Sequence, residues 1–302
     1  MATTTDGGTV TSFSNTTQAK DDSFSTALIN GVSGSLITED FAGIVYLDVM
    51  ANDLGGNAKT LWSLDDGISS STSTKLYAPT DLLTQDTARY ESISTDTSYF
   101  GAKIWITSEG KVGYDASTLS ATFREALQAL SPGQTLSDSF TYSIRLGNGT
   151  LSWATAKIQF AGVNDAAVFT GTNTVTLSEG DTPQSTGGKL NATDVDSPAT
   201  FMPQTNVTGS NGYGKFTIAA DGTWTYVMDN AHDEFVGGQD YTDSLTVATA
   251  DGTTQVLTVT MHGANDAAVL SADTANLTET NTAADISTSG TLTISDVDSP
   301  AT

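Results

Sequence analysis

The chain contains no cysteine, which excludes disulfides and thiolate metal sites. Its 302 residues include only 11 Lys plus Arg, against 35 Asp plus Glu. At a net charge of -24 it lacks the basic footprint that nucleic acid or an anionic membrane surface requires of a partner. Two histidines and few cations leave acyl and phosphoryl transfer without their usual groups. Gly-x-Ser-x-Gly, His-Glu-x-x-His and the phosphate-binding Gly-Lys-Ser/Thr loop are missing. No stretch approaches the roughly 20 apolar residues of a membrane span. Met1 to Val10 is Thr- and Gly-rich, without the apolar centre of a signal peptide, so any export address is expected elsewhere.

What is abundant is acid. A charge of this size repels itself in a compact chain, and bound divalent cations are the simplest offset, because clustered carboxylates are their hard-oxygen ligands. A merely soluble acidic surface is the alternative. Hydrophobic residues make up 37%, enough for each of two or three domains to bury a core.

Polar motifs recur. Gly162-Val163-Asn164-Asp165-Ala166-Ala167-Val168 returns as Gly263-Ala264-Asn265-Asp266-Ala267-Ala268-Val269, about a hundred residues later. Thr193-Asp194-Val195-Asp196-Ser197-Pro198-Ala199-Thr200 returns as Ser295-Asp296-Val297-Asp298-Ser299-Pro300-Ala301-Thr302. Between them, Leu177-Ser178-Glu179 matches Leu277-Thr278-Glu279. The front of the chain is a divergent copy. Ile104-Trp105-Ile106 with Val112 and Tyr114 matches Phe216-Thr217-Ile218 with Trp224 and Tyr226. Gly133-Gln134 leading to Asp138 matches Gly238-Gln239 leading to Asp243. The expected division is a disordered lead-in over 1–19, a divergent domain over 20–164, a second domain over 165–265, and the first strands of a third over 266–302.

The periodicity is that of strands. Phe140, Tyr142, Ile144 and Leu146 alternate with polar residues, as do Leu257, Val259 and Met261. Asn148-Gly149, Asp221-Gly222 and Asp251-Gly252 supply tight turns. Regular short strands predict an all-β architecture of tandem antiparallel sandwiches. One helix is expected at Phe123, Ala126, Leu127 and Leu130, ended by Pro132-Gly133.

At these residues the sequence resembles the VCBS repeats and bacterial cadherin-like domains. Gly162 to Ala167, Thr193 to Thr200, Asn211 to Phe216 and Asp221 to Tyr226 carry the resemblance. In the front copy it rests on Leu130 to Gln134 and on Leu47-Asp48-Val49-Met50-Ala51-Asn52-Asp53. The resemblance implies an elongated extracellular array from a large bacterial surface adhesin or biofilm matrix protein. It also implies type I secretion, although the RTX nonapeptide is not present. Finally, it implies Ca2+ where one repeat meets the next.

Carried onto this sequence, the first junction would use Glu39, Asn164, Asp165, Asp194 and Asp196. The second would use Glu179, Asn265, Asp266, Asp296 and Asp298, and Glu279 would serve a junction further on. Side chains two apart on a strand share a face, which would aim both members of each Asp-x-Asp at one ion. The competing account makes Asn164-Asp165 a strand end and Asp194-Val195-Asp196 a turn. Trp224 is expected in the core, and His232 and His262 in structural or surface roles. Carboxylate pairs abound, yet carboxylates at equal spacing serve repeated structural sites better than one active site, so no enzyme is expected. Three roles remain open: a passive spacer among neighbouring repeats, a self-assembling subunit exchanging strands with other copies through 266–302, and a module binding surface glycans.

Overall fold

The expected alternation becomes strands almost throughout. The structure, a computed structural model, describes residues 3–6, 9–12, 18–29, 32–69, 72, 75, 79–278 and 288–299. The chain divides into two compact units, Met1–Asp165 and Ala166–Thr302.

The first unit opens with β1 (Thr3–Asp6) and β2 (Thr9–Ser12), an antiparallel pair within the stretch whose composition suggests a disordered lead-in. There follow β3 (Asp22–Phe24), β4 (Thr26–Ile29), β5 (Val32–Leu36), β6 (Ile44–Leu47), β7 (Thr60–Asp65), β8 (Lys103–Ile106) and β9 (Val112–Asp115). Helix α1 (Ala121–Gln128), β10 (Thr135–Arg145) and β11 (Leu151–Ala161) complete it. Two sheets, in the orders β3-β11-β10-β7 and β6-β9-β8, enclose a core that includes Ile104, Tyr114, Phe140, Ile144 and Phe160. Helix α1 forms where its apolar spacing predicts, and buries Phe123 and Leu127.

The second unit contains β12 (Val168–Gly171), β13 (Thr174–Ser178), β14 (Ser185–Thr193), β15 (Gln204–Thr208), β16 (Gly214–Ile218) and β17 (Thr223–Met228). It continues with β18 (Asp240–Ala248), β19 (Thr254–His262), β20 (Val269–Leu270) and β21 (Ile294–Ser295). Sheets β12-β14-β17-β16-β15 and β13-β19-β18 bury Phe216, Trp224, Tyr226, Leu257, Val259 and Met261. Trp224 is core, as its alternation implies, and its indole N–H donates to the Thr172 carbonyl at 2.8 Å.

The sandwiches are not wholly antiparallel. β3 pairs parallel with β11, and β13 pairs parallel with β19. In the second unit the opening strand is shared between sheets. β12 pairs antiparallel with β14, and β13 then joins the other sheet. Gly171 makes the crossing at φ 97, where an added Cβ would lie 2.3 Å from the Lys189 carbonyl oxygen, so only glycine fits.

Each unit also buries an aspartate at a matching inward strand position. Asp138 accepts from the Tyr114 hydroxyl at 2.7 Å and from the Phe100 N–H at 3.0 Å. Asp243 accepts from the Tyr226 hydroxyl at 3.1 Å and from the Asn211 N–H at 2.8 Å. Burial raises Asp138 above the usual carboxylate range in spite of these donors. The matched tyrosine–aspartate pairs tie the sheets together identically in both units, because a buried carboxylate is tolerated only when it is hydrogen-bonded.

A second polar cluster belongs to the first unit alone. The single proton of the Tyr142 hydroxyl faces the Lys20 and Val49 carbonyls, at 2.9 and 2.8 Å, and the carboxylates of Asp22 and Asp53. Burial, with Asp53, Asp21 and Asp48 nearby, pushes Asp22 up to about 6 against the hydrogen bond from Tyr142. A raised folded-state value means stability that is present below the ordinary carboxylate range and lost as pH rises through about 6. In chelator, the melting temperature of the first unit should therefore fall between pH 4 and pH 7, and Asp22→Asn should flatten that fall. Calorimetric melts of both proteins across this range decide the matter; equal slopes would refute it.

Candidate metal centre

Parallel pairing decides where the buried glutamates go. Because β13 and β19 run the same way, both end at the segment that leaves the sandwich. Glu179, one residue past β13, donates its N–H to the His262 carbonyl at 2.9 Å, and its Oε2 accepts the Ala264 N–H at 2.9 Å. Glu39 repeats this in the first unit. Its N–H donates to the Ala161 carbonyl at 3.0 Å, and its Oε1 accepts the Val163 N–H at 2.7 Å. Both side chains are buried. The sequence equivalence of Glu39 and Glu179 is thus an equivalence of position.

The asparagines after the last strands also match. The Asn164 side-chain N–H donates to the Asp165 carbonyl at 2.9 Å, and Asn265 does the same to Asp266 at 2.7 Å. Each amide nitrogen is thereby used, and each amide oxygen is left as an acceptor.

In the second unit these parts converge. Glu179, Asp233 and Asp266 each bring a carboxylate oxygen within 4.8 Å of the others. Asp298 joins them, its Oδ2 accepting the Asp266 N–H at 3.3 Å, and it is buried. The Asp298 carboxyl is held below the usual carboxylate range, first by its interaction with the Asp296 side chain and then, against burial, by the Asp266 N–H. Asp266 Oδ2 and Asp298 Oδ1 are buried and accept no hydrogen bond. Burial raises Glu179, with Asp266, Asp233 and Asp298 adding to the shift and the Ala264 N–H opposing it. Asp266 is raised by burial and then by Asp233, Asp298, Asp181 and Asp296. The charged neighbours behind both shifts are all carboxylates. Such a set, rich in oxygen and short of donors, fits a hard divalent cation.

The Asp-x-Asp segments do not lie on strands. β14 ends at Thr193, and Asp194 Oδ1 then accepts the N–H groups of Asp196, at 3.1 Å, and Ser197, at 2.8 Å. Asp296 Oδ1 likewise accepts the Ser299 N–H at 3.1 Å. Both segments are turns closed by the first aspartate, so the shared strand face is corrected: the aspartate's affinity for nearby backbone N–H groups overrides extension. The turn leaves Asp194 Oδ2 buried and without a hydrogen bond. Glu39, Asn164 and Asp165 stand at the end of the first unit, and Asp194 and Asp196 follow β14 in the second. Glu279 lies outside the described residues.

Sequence reading misses Asp233 and Asp181. The aligned position of Asp233 in the first unit is Gln128, so recurrence does not mark it. Gln128 donates to Asp40 at 3.5 Å. Both histidines are accounted for by acceptors. Buried His232 faces Glu234, the Tyr213 carbonyl and Asp229, and His262 pairs with Asp240.

Residues 164–263 match the bacterial cadherin-like domain family. No curated protein matches the chain. Among solved structures, extracellular cadherin domains 1–4 of protocadherin gamma B7 are 16% identical, with 93% of this chain and 59% of that one covered and a TM-score of 0.33. Domains 1–5 of protocadherin gamma B2 are also 16% identical, over 94% and 46%, at 0.34. Drosophila N-cadherin domains 1–4 are 13% identical, over 61% and 47%, at 0.31. The chain thus spans 59% and 46% of the lengths of the first two. The family match and the described sheets make residues 164–263 a cadherin-like β-sandwich.

Neutralising one carboxylate of this cluster should have opposite effects in two buffers. In chelator, Asp266→Asn removes like-charge repulsion and should raise the melting temperature of the second unit. In calcium it removes a ligand and should lower it. Scanning calorimetry in both buffers reads the signs; the same sign in both would contradict the site.

Proposed function

We propose that the chain is an extracellular structural and adhesive repeat segment of a large bacterial surface or biofilm matrix protein, stiffened by Ca2+ at its repeat junctions, and that it is not an enzyme. The observation that carries this reading is the cluster of Glu179, Asp233, Asp266 and Asp298, with two buried oxygens that accept no hydrogen bond. Asn265 and Asp296 would complete it. The equivalent residues Glu39, Asn164, Asp165, Asp194 and Asp196 would serve the first junction, and Glu279 one further along. A bound ion supplies positive charge that offsets clustered carboxylates, and its binding energy adds to folding. The chain's own groups do the rest: backbone N–H groups fix Glu39 and Glu179, and the turns at Asp194 and Asp296 hold the paired aspartates. No helix among the described residues is long and apolar enough to cross a membrane.

A second reading, self-assembly through 266–302, is favoured by one observation. Leu270, Leu292 and Ile294 are 64%, 59% and 42% exposed. Their counterparts one repeat earlier are Phe169, Leu190 and Ala192. Leu190 is only 1% exposed, and the other two pack against the same core. Core positions left open on β20 and β21 suit added strands from a neighbouring repeat or another copy.

The spacer reading predicts a monomer that is stiff in calcium and bends in chelator. Calcium at about 100 times its Kd adds ~2.7 kcal/mol of stability, which is roughly 5–15 °C in melting temperature for units of this size. Small-angle scattering and sedimentation, with and without calcium, test both properties. Unchanged curves and melts in chelator would remove the calcium role. Polymers that grow with concentration and vanish on deleting 266–302 would favour strand exchange.

A further inference from the structure

The two units give an internal control, because the same row of outward-facing residues can be compared in each. In the second unit that row runs Gly187–Thr225–Thr217 across β14, β17 and β16. Small polar residues there keep the outer face wet. In the first unit the row runs Tyr46–Gly113–Trp105 across β6, β9 and β8. Two aromatics have replaced the polar row, with a glycine between them. An added Cβ on Gly113 would lie 2.2 Å from the Trp105 indole, so the glycine exists to let that ring lie across the strand. Trp105 is only 5% exposed, although its neighbours Ile104 and Ile106 take the core side. Tyr46 meets it edge-on at 6.5 Å and is 48% exposed.

The connection from β7 to β8 is long, residues 66–102, where the second unit has only residues 209–213 between β15 and β16. It brings Tyr90, 67% exposed, and Arg89 to a cleft of about 370 Å³ whose lining includes Tyr46, Trp105 and Lys111. One guanidinium nitrogen of Arg89 donates to the Asp86 and Ala88 carbonyls, at 2.8 and 2.9 Å, which fixes the side chain and leaves its other N–H groups for a ligand. Two of the chain's 11 cations thus share one cleft with a single acid, Glu109, in a protein with 35 acidic residues.

We infer that this cleft binds an acidic saccharide, a pyranose chain bearing carboxylates. Exposed tyrosine rings over an indole floor suit the apolar C–H face of a sugar, and fixed aromatics lose little entropy on binding. The hydroxyls of Thr107 and Ser108 suit its rim. Arg89 and Lys111 suit its carboxylates, arginine by paired N–H bonds. The inference is independent of the calcium junctions, since every residue it uses lies in the first unit and none of them is a junction carboxylate.

The test is titration calorimetry of the whole chain, in chelator, with tetragalacturonate and with neutral galactotetraose. Chelator prevents calcium from bridging uronate to the protein's own acids. Saturable binding to tetragalacturonate is expected, with the neutral sugar at least about tenfold weaker. Tyr90→Ala and Arg89→Gln should each weaken the acidic sugar by about tenfold, and Tyr90→Phe should retain binding. Both positions are at the surface, and unchanged melting curves would show that the variants fold. Absence of saturable binding at millimolar sugar, equal affinity for both sugars, or full affinity in Tyr90→Ala would each overturn the inference.

Discussion

Glu179, Asp233, Asp266 and Asp298 gather like charge, and backbone hydrogen bonds hold Glu179 and Asp298 in place against it. The Ala264 N–H fixes Glu179 and the Asp266 N–H fixes Asp298, yet the charged neighbours that shift Glu179 and Asp266 are carboxylates. Surface acids elsewhere in the chain pair with cations, as Asp21 does with Lys75 and Asp221 with Lys189. In the cluster, buried oxygens are instead left without donors. An arrangement that gathers like charge around partly buried oxygens is favoured by a counter-ion, and a divalent cation coordinated by several oxygens is the economical one.

The topology follows the same requirement. An antiparallel sandwich would send the end of β13 away from the end of β19. The parallel edge brings Glu179 beside the residues that leave β19, and the same exception in the first unit brings Glu39 beside Val163. Splitting the opening strand between two sheets depends on a residue that tolerates φ 97 at Gly171. The buried Tyr114–Asp138 and Tyr226–Asp243 pairs then hold both sandwiches in one geometry. The outer faces are free to diverge, and the first unit uses that freedom for an aromatic cleft.

Much of this is legible in the residues. Recurrence marks Glu179, Asn265, Asp266 and Asp298, and structure brings together the three carboxylates among them. Alternation marks the strands, and apolar spacing with Pro132-Gly133 marks the helix. The parallel edges are not legible, because an edge strand has the same pattern whichever way its neighbour runs. For Asp194-Val195-Asp196 the sequence leaves a strand face and a turn both open, since aspartates two apart suit either, and only the backbone hydrogen bonds decide for the turn. Asp233 escaped because its counterpart is Gln128. Asp138 did leave a signal: it is in phase with Phe140, Tyr142 and Ile144, so the strand period itself places a carboxylate inside.

Whether the gathered carboxylates bind a divalent cation is read by calcium titration calorimetry on the intact chain. Saturable binding is expected, in which Asp266→Ala with Asp298→Ala abolishes at least one equivalent and leaves the remainder. Titration heats with no saturable component, or an unchanged stoichiometry in the double variant, would contradict it.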